Sequence, residues 1–262
     1  MSAGEAHPHP PADLRLPKIT WPILGAAGAL VAAAWVVTLA TSVDFNALMM
    51  MQLGGAAPAD TLAFVALSAV MMVAMMLPSA LPMVEAHRGI VTLEAGAGEG
   101  LVQALIFSSG YFAAWTAMTA LSLPVLLVFG IMGGMGGPAA FAPGAVLVAA
   151  GVYQFTKWKD FCLRHCRSPI GFIMTHYRKG RAGALRMGLS HAAYCLGCCW
   201  LLMLVWFVAG AMSVLWMGVF AAFILAEKVS KRGELLSRSM GAVAVAAGAL
   251  SLYFAYSAPT MM

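Results

Sequence analysis

The chain has 262 residues, 62% of them hydrophobic and only 10% charged, and 15 basic against 10 acidic residues leave a net charge of +5. A soluble domain of this length needs more charge to keep its surface hydrated, so the composition excludes an ordinary water-soluble fold. The basic excess lies between apolar runs, which makes it a topology signal and argues against a nucleic-acid footprint.

The opening stretch MSAGEAHPHPPADLRLPK is polar and proline-rich. Residues 1–20 are therefore expected to form a disordered cytoplasmic tail, in which His7 and His9 are weak metal candidates. No cleavable signal peptide is read, because the first apolar run already has the length of a span.

Runs of about 20 apolar residues cross a bilayer. Seven are read here, at roughly 21–41, 60–83, 101–130, 142–160, 188–210, 212–227 and 238–257. The third carries Pro124 and is long enough to overshoot the membrane or kink. With seven spans all fifteen basic residues fall on one side, while the opposite loops carry only Asp44 and Asp60. The expected fold is thus all-α: a polytopic transmembrane bundle of about seven spans, N-terminus cytoplasmic and C-terminus outside. Residues 21–257 read as a single helical domain with a cytoplasmic loop at 161–187.

The second run ends in MMVAMMLPSALPMVEAH, residues 71–87. Met72 and Met76 stack at i, i+4, and Pro78 and Pro82 are expected to break the helix beyond them. Thioethers are soft ligands for Cu(I), although methionine is also a common core filler. Glu85, His87 and Glu227 sit at the cytoplasmic ends of spans, where solvation or pairing with Arg88 or Lys228 is the ordinary expectation. A way in or out for a cation is the alternative.

Beyond the fourth run, DFCLRHCRSP places Cys162, His165 and Cys166 at i, i+3 and i+4. Arg164 and Arg167 are expected to depress the thiol pKa values toward the metal-binding thiolate. Lys157, Lys159 and Gln154 read as ordinary interfacial residues. Pro169 should end any helix that continues from the fourth run. Residues 171–188 then read as a short interfacial segment whose Phe172, Ile173 and Tyr177 rest on the bilayer surface.

The fifth run contains SHAAYCLGCCWLLM, residues 190–203. At 100° per residue His191, Cys195, Cys198 and Cys199 share an arc of about 100°, and so one helix face. The face lies one to three turns below the cytoplasmic surface, on the side where the other two cysteines lie. A reducing cytoplasm disfavours structural disulfides and favours metal or redox use of such thiols. Cysteines also pack as small apolar residues, which is the bland alternative.

Three motifs together, MMVAMMLPSALPM, DFCLRHCRSPIGF and CLGCCWLLM, resemble the bacterial family described as predicted metal-binding integral membrane proteins, domain of unknown function 2182. AEK at 226–228 fits the same family. The resemblance covers roughly residues 60–257 and implies a multi-pass inner-membrane protein with inferred metal binding. Members often have glycine after the histidine of the fifth-span motif, where this chain has Ala192.

The expected function is the handling of copper(I), as chaperone, acceptor or conduit. Cys162, Cys166, Cys195, Cys198 and Cys199 are the candidate ligands, joined by His191, His165, Met72 and Met76. Zinc is the alternative metal, bracing the bundle of a membrane-complex subunit. Thiol–disulfide redox chemistry is the second alternative, although C-x3-C is not the CxxC of thioredoxin-like motifs. The expected partners are the lipid bilayer, the metal ion and a metallochaperone or metalloenzyme complex, with no nucleic acid. No Walker loop, GxSxG, HExxH or pump-type CPC occurs, and no residue pattern identifies a reaction.

Overall fold

The structure is a computed structural model, which describes residues 21–43, 57–128, 141–208 and 214–257. His7, His9, Asp44, Met49–Met51 and most of the 131–141 loop fall outside them. The described residues form nine helices and no strand: α1 (Trp21–Ala40), α2 (Pro58–Ala95), α3 (Ala97–Val128), α4 (Ala142–Tyr153), α5 (Lys157–Arg167), α6 (Pro169–His176), α7 (Gly180–Val208), α8 (Val214–Val229) and α9 (Gly233–Ser257).

Five of the nine, α1, α2, α3, α7 and α9, are long and apolar enough to cross a membrane. The fourth and sixth expected spans take a different form. α8 keeps its position but has only 16 residues. The run at 142–160 is broken into α4 and α5 at Thr156, whose extended backbone (φ −80°, ψ 147°) and side-chain oxygen cap α5 by accepting the Lys159 N–H. A local cap outcompetes continued apolarity there, because it satisfies a backbone donor that the helix start would otherwise leave bare.

The second expected span also differs. α2 runs unbroken through Pro78 and Pro82 for 38 residues. A proline removes one i→i−4 bond, but packed neighbours and short side-chain bonds tolerate the gap in an apolar setting. Between the two prolines Ser79 donates to the Met76 carbonyl at 3.0 Å, a local bond beside the ladder that replaces neither lost one. The helix stops at Gly96, which takes a left-handed φ of 91° and returns its N–H to the Thr92 carbonyl.

α3 packs between α2 and α7, and α1 lies on α2. Close approach of α3 and α7 requires a missing side chain, since a Cβ at Gly188 would collide with the Phe107 backbone. α4 and α9 meet along a second seam, where a Cβ at Gly151 would sit 2.7 Å from the Gly241 carbonyl oxygen. Small residues at such crossings let backbones touch without a void.

Phe172 and Ile173 were expected on the bilayer surface, yet they are 1% and 4% exposed and pack with Met83, Phe107 and Met187. Ser168 caps α6 by accepting the Gly171 N–H, and the turn it starts folds these two side chains inward against α2 and α3. The remainder of that expected segment, from Gly180 onward, is the first turns of α7.

Candidate metal centre

Three helices build the site. α5 contributes Cys166, α7 contributes Cys195 and Cys198, and α8 lays Lys228 across them. The sulfurs of Cys166, Cys195 and Cys198 lie within 4.8 Å of one another, and all three residues are buried. Cys166 and Cys198, 32 positions apart in the chain, bring their sulfurs to 3.9 Å. Metal–sulfur bonds of about 2.3 Å in a trigonal plane place the sulfurs about 4 Å apart, so the donor set fits a three-coordinate soft cation.

Gly197 eases this approach. A Cβ there would lie 2.5 Å from the Cys162 sulfur, the free end of a rotatable side chain, so the glycine lets α5 press its thiol-bearing face on α7 without displacing that sulfur. The Tyr153 hydroxyl also donates to the Gly197 carbonyl, pinning the end of α4 at the same point.

Polar partners saturate the cluster. The Lys228 ammonium donates to the Cys195 sulfur and to Ser79 Oγ, each at 3.0 Å, and the Tyr111 hydroxyl lies 3.0 Å from the same sulfur. The thiols of Cys198 and Cys199 both donate to the Cys195 carbonyl, at 3.1 and 2.9 Å. Beside them Lys159, fully buried, pairs with Glu227 at 3.0 Å and donates to the Cys198 carbonyl.

The other sequence candidates are placed as follows. Cys199 is buried in the same core but turned to the Cys195 carbonyl. Cys162 is half-buried beside Gly197. Met72 and Met76 belong to the apolar cluster that surrounds the thiols, together with Tyr111, Trp115 and Met203. His191 shares the thiol face but stacks its ring on Tyr111 at 5.3 Å, and both ring nitrogens are buried without a hydrogen-bond partner among the described residues. His165 lies outside the sulfur cluster, stacked on Tyr194 at 4.4 Å. His87 stacks on Phe107, also with both nitrogens unpartnered.

Two electrostatic expectations are corrected. The Cys162 thiol is pushed above its ordinary range by burial, and that of Cys166 by its contacts with Cys195 and Cys198 and then by burial. Arg164 and Arg167 do not depress them, because they face away: Arg164 pairs with Glu234 at 3.3 Å and Arg167 donates to the Ser230 carbonyl. Glu227 takes Lys159 as its partner instead of Lys228, which is committed to Cys195. Glu85 does pair with Arg88, at 2.9 Å.

Sequence reasoning missed Lys228, Tyr111 and Ser79 as neighbours of the thiols, and it read Lys159 as interfacial. One signal was present: Lys159, Cys162 and Cys166 fall at i, i+3 and i+7, on one helix stripe. For Lys228 no single-helix pattern suffices, since its direction depends on how α8 crosses α7.

Fold and site define an all-helical protein of membrane-spanning composition with a buried cysteine cluster compatible with metal binding. Residues 65–251 match the copper chaperone family PpoB2, and the chain belongs to that family. No curated protein and no solved structure matches it.

Proposed function

We propose that the chain is an integral membrane copper chaperone that holds one copper(I) ion between Cys166, Cys195 and Cys198. The observation that carries this reading is the convergence of three buried sulfurs from two helices on a single point. Membership of a copper chaperone family supports the metal, and the resemblance to domain 2182 rests on the same motifs. Three converging thiols, with the Cys199 sulfur turned aside, suit trigonal copper(I) better than the four-ligand closure of structural zinc. Lys228 offsets part of the negative charge that a copper–thiolate complex would carry, and Tyr111 donates a hydrogen bond to its sulfur. Cys162, Cys199, His191, Met72 and Met76 are reserve donors beside that site, and His165 lies outside it. Five span-length helices and the one-sided basic residues support a multi-pass place in a bacterial inner membrane, with the thiols toward the cytoplasm. A chaperone there would take copper from a soluble donor and pass it to a metalloenzyme complex.

The test is metal analysis of detergent-purified protein from copper-replete cells. Wild type should retain one copper per chain with sulfur neighbours in its X-ray absorption spectrum. The triple variant Cys166→Ser, Cys195→Ser, Cys198→Ser should retain none at sulfur. Zinc bound in the wild type under these conditions would overturn the copper reading. The 3.9 Å between Cys166 and Cys198 also favours a second reading, thiol–disulfide exchange. A mixed disulfide trapped with a partner in cells would favour it over metal carriage.

A further inference from the structure

Two histidines stand just outside the thiol cluster, on segments that belong to none of the candidate spans: His165 on α5 and His176 at the end of α6. Both are partly exposed. Each ring is oriented by its own helix. His165 Nδ1 lies 2.9 Å from the Phe161 carbonyl, and His176 Nδ1 lies 3.2 Å from the Phe172 carbonyl and 2.7 Å from Thr175 Oγ1. The Thr175 hydroxyl hydrogen goes to the Gly171 or Phe172 carbonyl, so its oxygen accepts from the imidazole. A carbonyl can only accept. In its neutral form each imidazole therefore carries its proton on Nδ1 and offers Nε2 as a lone pair, the orientation that outer partners impose on metal-binding histidines.

The ring centres are 6.5 Å apart. A metal–nitrogen bond of about 2 Å plus about 1.2 Å from nitrogen to ring centre puts two imidazoles about 6.4 Å apart in a linear complex. The ring separation equals that of two imidazoles on one two-coordinate ion, for which both rings would turn their Nε2 atoms toward each other. Tyr194 bridges the pair. Its ring lies flat on His165 (4.4 Å between centres, 3° between planes), and its hydroxyl donates to His176 Nε2 at 3.3 Å. Phe172 supports the opposite side of His176, stacked at 4.6 Å.

The register of the two helices connects this pair to the sulfurs. His165 immediately precedes Cys166 on α5, and Tyr194 immediately precedes Cys195 on α7. Outer neighbours His165 and Tyr194 stack, while inner neighbours Cys166 and Cys195 converge in the thiol cluster. We propose that His165 and His176 form a receiving site for copper(I) at the aqueous edge, from which the ion moves one residue inward to Cys166. The Tyr194 hydroxyl holds the His176 lone pair until the ion displaces it. This step rests on the copper reading above and assigns the surface group that takes the ion first.

The test separates the two ideas. The variant with all five cysteines, Cys162, Cys166, Cys195, Cys198 and Cys199, replaced by serine is titrated anaerobically with copper(I) in competition with bicinchoninate. One ion should bind with two nitrogen neighbours and no sulfur, and adding His165→Phe and His176→Phe should abolish it. In the otherwise wild-type protein the two phenylalanine replacements, which keep the ring stacks, should leave the final sulfur-bound copper unchanged and slow its loading roughly tenfold. Should that pair fail to fold, His165→Gln alone must still remove nitrogen-bound copper from the thiol-free protein. Failure of the thiol-free protein to bind copper, binding that survives loss of both histidines, or unchanged loading rates would each overturn the receiving site. None of these outcomes affects copper at the thiols. A wild type with nitrogen-bound copper and none at sulfur would keep the histidine site and overturn the proposed thiol carriage.

Discussion

The contact of α4 with α9 and the junction of α5, α7 and α8 bring helices together around different contents. Along α4 and α9 the approach is made by subtraction: Gly144 and Gly151 face Gly241 and Gly248, each glycine at the position where a Cβ would overlap the opposing backbone. One polar link closes that seam, Ser237 donating to Gln154 at 2.8 Å. At the junction the helices instead enclose two ammonium groups, one carboxylate and three thiols, nearly all inaccessible to water. Burying charge is expensive even when it is paired, and an apolar substitute of like shape often costs less. The first region is what packing alone produces. The second carries a cost that stability does not explain and that the proposed holding of a soft cation would.

The largest effect should come from separating the buried pair. Lys159→Met leaves Glu227 charged and alone in the core and is expected to destabilise the protein by about 3–5 kcal/mol in detergent-phase unfolding. Adding Glu227→Leu should recover much of that loss, and failure to do so would show that Lys159 has another essential partner. Next comes the seam. Gly151→Leu wedges α4 from α9 and should cost about 1–3 kcal/mol while leaving bound copper unchanged. Lost copper would mean that the two regions are coupled, and the contrast would then fail. A smaller effect is expected of Lys228→Met, which keeps the side-chain length but removes the positive charge at Cys195. Copper retention in a chelator competition should weaken about tenfold, or about 1.4 kcal/mol, with little change in unfolding.

The mildest probe is the pH dependence of Cys162, the one thiol of the five that is not fully buried. Its folded pKa is raised by burial, so at neutral pH it is the protonated and slowly reacting form. Alkylation by iodoacetamide should lag behind a free cysteine at pH 7 and climb about tenfold per pH unit through the ordinary thiol range. A rate that is flat from pH 7 upward would mean that a neighbouring cation has lowered the pKa, contrary to the structure.

The helical character and the candidate thiols were legible in the sequence because both are properties of single segments. Long apolar runs declare spans, and the 100° rotation per residue puts Cys195 and Cys198 on one face. That Cys166 joins them follows from both segments ending on one side. What the sequence hid depends on pairs of helices. Lys228 and Lys159 look like ordinary interfacial lysines until the crossing of α8, α5 and α7 turns them inward. Phe172 and Ile173 have the composition of a membrane-surface segment, and only the fold of α6 onto α2 makes them core. Thr156 and the two α2 prolines show the converse. A single capping hydroxyl ended an apolar run, while two helix-breaking residues failed to end another, because the backbone bonds available at each place decided the outcome.

Gly197 sets a boundary on which sequences can share this chemistry. Its missing side chain leaves room for the Cys162 sulfur where α5 meets α7. A homologue with alanine at that position would have to swing the Cys162 sulfur aside, and a bulkier residue would ask more of the same contact. In judging which distant sequences can carry the proposed cargo, the glycine in the middle of C-L-G-C-C is worth reading beside the thiols on either side of it.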